Sequence, residues 1–365
     1  APGGRIELGG LKEAGNIRID NNFKLNFPID VERADVSLSN GARVDVAAGG
    51  GGDIAVNARS LNISGSALLA GILENLGGVE QKAGDITLNA TDTVTISQTS
   101  GIINAVYDNG IGDSGNINVK AESLSVTGGA SLIASTLGRG NAGNINITTD
   151  SVSLSDGAFF SSSTFGIGNA GNVTVNAKDS VSLVNADIFS SVGAGAQGDG
   201  GDIDITTATL SLSNGSQLQT SIRQTDGTLA GGKGNAGDVT INANKLELDG
   251  INDDGLPSAI FSNLGIGAEG NAGNINITTD SVSLSDGAFF SSSTFGIGNA
   301  GNVTVNAADS VSLFNANIFS NVEAGAQGDG GDIDITTDTL SLRNGALIRT
   351  CTIENRNAVN VKIND

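Results

Sequence analysis

The chain has 365 residues, 38% of them hydrophobic, with 54 Gly against 3 Pro, and its 18 Lys and Arg face 39 Asp and Glu for a net charge of −21. That acidity argues against nucleic acid, whose phosphates need clustered cations, and against anionic lipid surfaces. His, Met and Trp are absent, which removes the commonest general base, the usual catalytic zinc ligand and the largest stacking ring. The lone Cys351 has no partner for an internal disulfide, and no apolar run approaches the roughly 18 residues of a membrane span. The opening Ala1-Pro2-Gly3-Gly4 reads as the middle of a longer chain, with any export signal removed or upstream.

A short phrase organises the rest: Gly, then Asn or Asp, then two aliphatic residues one position apart. It starts at Gly15, Gly52, Gly84, Gly115, Gly143, Gly171, Gly201, Gly237, Gly273, Gly301 and Gly331, at intervals of 28 to 37 residues. A period of that size marks a solenoid, whose units bury their apolar faces only by stacking. Residues 1–14, with Arg5-Ile6-Glu7-Leu8, read as the end of a preceding coil, and 15–348 as eleven repeat units. Coil one carries an insert, 21–33, in which Phe23, Leu25, Phe27 and Ile29 alternate; this predicts an extra strand or flap. Residues 349–365 read as a degenerate final coil with a twelfth first strand. They are either a cap or ordinary divergence in a longer chain, with Glu354, Arg356 and Val359 where earlier loops have Gly, and with Asn357-Ala358 retained.

One unit, Gly143 to Ala170, shows the plan. Asn144-Ile145-Asn146-Ile147-Thr148 alternates as a half-buried strand, Thr149-Asp150 turns, and Ser151 to Ser155 is a second strand. Asp156-Gly157 is a tight-turn pair, Ala158 to Ser163 a third strand, and Thr164 to Ala170 a Gly- and Asn-rich loop. The predicted fold is all-β: a right-handed parallel β-helix with three short strands per coil and about eleven to twelve coils. The second strand recurs as Val36/Leu38, Leu61/Ile63, Val94/Ile96, Leu124/Val126, Val152/Leu154, Val181/Leu183, Leu210/Leu212, Leu246/Leu248, Val282/Leu284, Val311/Leu313 and Leu340/Leu342. Stacked at roughly 4.8 Å, these predict aliphatic columns in a rod about 50 Å long.

The corner residues Asn16, Asp53, Asp85, Asn116, Asn144, Asn172, Asp202, Asp238, Asn274, Asn302 and Asp332 predict a hydrogen-bonded structural ladder. The rival reading is a row of calcium ligands from Asp53, Asp85, Asp199, Asp202, Asp238 and Asp332. The tandem calcium-binding nonapeptide is absent and many corners carry neutral Asn, so no metal and no cofactor is expected. Glycan cleavage would need clustered carboxylates in a cleft. The candidates are Asp253-Asp254 and the set Asp199, Asp202 and Asp204. The first pair reads as a plain turn, and the second set recurs with the repeat at Asp332/Asp334, so no catalytic residue is assigned and the chain is expected not to be an enzyme.

Residues 141–177 recur letter for letter at 271–307, a duplication that serves a spacer or a multivalent surface better than one active site. The wide-corner loops carry apolar residues: Tyr107, Leu137, Phe165, Ile167, Leu264, Ile266, Phe295 and Ile297. These either plug the corner or form an exposed binding stripe. The longest such loop, Arg223 to Gly234, is expected to project from coil seven.

Gly4-Arg5-Ile6-Glu7-Leu8-Gly9-Gly10-Leu11, Arg33-Ala34-Asp35-Val36-Ser37-Leu38 and the Gly-Asn-Ala-Gly-Asn repeats resemble the large cyanobacterial exoproteins related to filamentous haemagglutinin. The resemblance covers essentially the whole chain. It implies a right-handed parallel β-helix exported by two-partner secretion, through an outer-membrane secretion partner, to the cell surface or medium. It implies that the chain begins just after or within the end of the secretion domain, and it supplies no catalytic motif. The expected function is a non-enzymatic extracellular adhesin or surface-filament segment, with surface glycans or other cells as partners and no membrane span. The alternatives are a filament subunit assembling end to end or laterally and, behind it, a β-helical polysaccharide hydrolase or lyase.

Overall fold

In the computed structural model, which describes residues 3–21, 24–352 and 359–364, the chain is all β. It forms a parallel β-helix with no helix among the described residues. A 16-stranded sheet holds the first and second legs of each coil, and an 11-stranded sheet the third. Twelve first legs stack from Ile6–Gly9 to Val361–Asn364. Strict alternation sends one side chain in two inward, so Ile54, Val56, Ile86, Leu88, Ile117, Ile145 and their successors as far as Ile333 and Ile335 are buried. Each such side chain is worth about 1.5–3 kcal/mol of burial.

The expected second-leg columns are all in register, from Val36↔Leu61 and Leu38↔Ile63 to Val311↔Leu340 and Leu313↔Leu342. The third legs add a column that includes Leu68, Ile102, Leu132, Phe160, Ile188, Leu218, Ile260, Phe290 and Ile318. Second and third legs meet at a tight corner where Asp156 (φ 55°) and Gly157 (φ 78°) are both left-handed, the geometry that favours Asp/Asn followed by Gly.

The first corner differs from expectation. From Ile145–Ser155 onward, first and second legs run as one strand of 11 or 12 residues. Thr149-Asp150 is a bend within a strand, marked by a register shift between Thr149 and Ser151. Small inward residues at this bend, such as Thr149, Ala177, Thr279 and Ala307, let the chain turn while its inter-coil bonds continue.

Coil one also differs. Ile6 and Leu8 pair with Ile54 and Val56, so Ile6–Gly9 is itself the first leg of coil one. Gly15 to Ile19 stands outside the stack: Arg18–Ile19 pairs antiparallel with Leu25–Asn26, and Ile19 is exposed. The phrase matched by alternation, but the core position was already filled by Ile6 and Leu8. The hairpin is anchored by Arg33, whose guanidinium lies 5.1 Å from the Phe27 ring centroid and donates to the Asn89 carbonyl at 3.1 Å. Ile29 points to solvent, and Phe23 lies outside the described residues. At the other end Val361–Asn364 pairs with Ile333 to Thr336 as a further first leg. Glu354, Arg356 and Asn357-Ala358 lie outside the described residues.

Candidate functional site

The corner ladder is built from side chain to backbone. Asp53 Oδ1 accepts the Asp85 amide at 3.0 Å, Asp85 that of Asn116 at 2.8 Å, and Asn116 that of Asn144 at 3.0 Å. The chain of bonds continues through Asn172, Asp202, Asp238, Asn274, Asn302 and Asp332 to the Asn360 amide. Only an acceptor oxygen is required, so Asn and Asp are interchangeable there. Asn16 is not in it, because its hairpin is outside the stack. Its place is taken by Arg5, whose guanidinium donates to Asp53 Oδ2 at 3.1 Å.

A second ladder, three residues earlier, runs from Asp113 through Asn141, Asn169, Asp199, Asn235, Asn271 and Asn299 to the Asp329 amide. The Gly-Asn-x-Gly-Asn phrase carried its signal. Asp199 and Asp202 are therefore rungs of two ladders. Asp204 stands outward on its strand, its carboxyl raised above the usual range by burial and by Asp202 and Asp238. Asp253 and Asp254 sit on an exposed turn, where Asn252 Oδ1 accepts the Asp254 and Leu256 amides. Among the described residues no three His, Cys, Asp or Glu converge as a metal site.

Inside, a row of hydroxyls ties each coil to its loop. Ser190 Oγ donates to the Gly171 carbonyl at 2.7 Å and accepts the Gly201 amide at 3.0 Å. Ser162, Ser262, Ser292 and Ser320 reach the equivalent glycine carbonyls. Those glycines are required by approach: a β-carbon on Gly171 would overlap the carbonyl of Gly143 in the preceding coil.

The wide corner is closed by single-residue bridges. An inward column holds Val106, Thr136, Thr164, Val192, Ile222, Leu264 and Thr294. The next residue in each coil points out, giving one column of Tyr107, Leu137, Phe165, Gly193, Arg223, Gly265, Phe295 and Glu323. Four of the eight sequence candidates thus share a column. Tyr107 is half-buried and burial raises its phenol pKa, while Phe165 is 46% exposed. Ile167 and Ile297 belong to a second outward column with Arg139, Gln197, Lys233 and Glu269. Leu264 is a correction: it is 0% exposed and packs with Val192, Ala196, Ile222 and Ala268. Leu264-Gly265-Ile266 resembles Phe165-Gly166-Ile167 in lettering, yet Leu264 aligns with Thr164. That one-residue slip turns a side chain to the opposite face. Ile266 is exposed, in neither bridged column.

Residues missed by sequence reasoning complete the surface. The outward face of the third legs carries Phe159, Phe189, Phe261, Phe289 and Phe319. Arg223 reaches back over the Phe189 ring, 5.5 Å from its centroid, and Arg349 over Phe319 at 5.3 Å. Nearby Asp187 accepts the Gln217 amide at 2.9 Å, and burial pushes its carboxyl up to about 6. The double-Phe phrase held the signal, since alternation puts Phe160 inside and Phe159 outside. Comparison with protein-family models, with curated proteins and with solved structures finds no match for this chain.

Proposed function

We propose that the protein is a non-enzymatic adhesive rod: an acidic β-helical segment of an extracellular or outer cell-surface protein that presents its wide-corner loops to surface glycans or other cells. The observation that carries this reading is the outward column of Tyr107, Leu137, Phe165 and Phe295, apolar side chains on the corner where coil length varies most. The ladder role of Asp199 and Asp202 and the exposed turn around Asp253-Asp254 favour binding over hydrolysis or lysis. Export by two-partner secretion through an outer-membrane partner rests on the sequence resemblance alone. The test is binding of the purified chain to a glycan and cell-surface panel, with and without calcium. Saturable binding that falls on Phe165→Ser with Phe295→Ser supports the reading, whereas turnover of a polysaccharide would sink it. A filament subunit assembling end to end or laterally is the second reading, and it rests on the repeat sequence alone. It predicts a sedimentation coefficient that rises with concentration.

A further inference from the structure

The wide-corner surface is interrupted once. The outward column carries Gly193 and Gly265 on either side of Arg223, so two side chains are missing between Phe165 and Phe295. The places a β-carbon would take at Gly193 and Gly265 are filled by the Phe165 ring and the Gln224 backbone, and beside them, around Arg223, lies a cavity of about 580 Å³, within the range of small-molecule sites. The loop 223–234 wraps one side, held by Asp226 Oδ1 accepting the Thr228 and Leu229 amides and by Thr225 Oγ1 donating to the Leu229 carbonyl at 2.6 Å. Phe165 and Phe295 are equivalent residues of the two duplicated blocks, so the unique middle coils build the site and the copies wall it.

We propose that this cavity is a binding site for a neutral pyranose oligosaccharide. Rings of Phe165, Phe261 and Phe295 offer faces for the C–H surface of a sugar. Gln219, Gln224 and Asn263 line the same space and bring the planar amides that pair with adjacent hydroxyls. Arg223 is the single cation among the lining residues; its Nε is buried without a protein acceptor, and its guanidinium lies over the Phe189 ring. Two carboxylates, Asp226 in the lining and Asp187 facing Arg223, together with the chain's net charge of −21, disfavour a uronate or sulfated ligand. The inference rests on the adhesive reading and gives it a ligand class and a place.

The experiment is calorimetric titration of the full 365-residue chain with neutral gluco-, manno-, galacto- and xylo-oligosaccharides, and with oligogalacturonate. The expected result is saturable binding of at least one neutral series at one site per chain, with oligogalacturonate at least tenfold weaker. Phe261→Ala and Ala194→Trp, the latter filling the cavity without removing core, should each weaken it tenfold or more, while Ile29→Ala, on the exposed hairpin far from the cavity, leaves it unchanged. Circular dichroism and melting confirm that each variant is folded. No neutral binding, stronger binding of oligogalacturonate, or binding indifferent to Ala194→Trp overturns the proposal. A chain that still attaches to cells while binding no soluble oligosaccharide refutes the cavity alone; one that does neither refutes the adhesive reading too.

Discussion

Ser190→Ala removes one hydroxyl that serves two buried backbone groups, the Gly171 carbonyl at 2.7 Å and the Gly201 amide at 3.0 Å. Ser190 is 0% exposed, so water does not replace it in place. Leaving a buried donor or acceptor unsatisfied costs about 1–3 kcal/mol, so two give about 2–6 kcal/mol. The volume change is small, which separates this loss from a packing defect. Stability in a stacked array is a sum over neighbours, so the damage should be local. Hydrogen exchange at the Gly201 amide and its neighbours in coils six and seven should accelerate by that free energy, with distant coils hardly changed. Ser190→Thr, which keeps the hydroxyl, should retain most of the protection. A Ser190→Ala protein within about 0.5 kcal/mol of wild type at Gly201 would refute the reasoning, because one net neutral hydrogen bond is already worth about that much.

The corner ladder predicts that Asn172→Asp is nearly neutral while Asn172→Ala costs about 1 kcal/mol, checked by melting. Asp187 gives a pH signature: its carboxyl is pushed up from 3.8 to about 6 in the fold. The native state therefore holds the proton more tightly, and this contribution is fully present below pH 3.8 and lost as pH rises through 6. Asp187→Asn should flatten the fall in melting temperature across that window; an unchanged slope would assign it to another group. Because the ladder carboxylates are occupied as backbone acceptors, adding a chelator or millimolar calcium should leave the melting temperature unmoved, and a calcium-dependent rise would restore the ligand-row reading.

The repeat phrase and the second-leg columns were legible because alternation fixes which side chains point inward, and stacking demands the same parity in every coil. Alternation does not say where a strand bends, so Thr149-Asp150 read as a turn although the strand continues through it. Nor does it say which of two matching segments occupies the stack. Gly15 to Ile19 fits the phrase better than Arg5 to Leu8, but the latter is the leg that covers Ile54 and Val56. The binding surface was half legible. Tyr107, Leu137, Phe165 and Phe295 emerged from their odd composition in Gly- and Asn-rich loops. Leu264 went astray because loop lettering carries no register, and the outward phenylalanines were hidden beside inward ones. The Arg223 cavity gathers Phe165, Gln219, Phe261 and Phe295 from different coils, an adjacency across the stack that a linear reading does not display.

The corner ladder has a polarity. In every rung the earlier coil contributes the side-chain oxygen and the later coil the amide, from Asp53 to Asn360. All rungs therefore point the same way along the rod, each turn's side-chain oxygen marking the register of its successor. At Asp53 the place of the preceding side-chain oxygen is held instead by the Arg5 guanidinium.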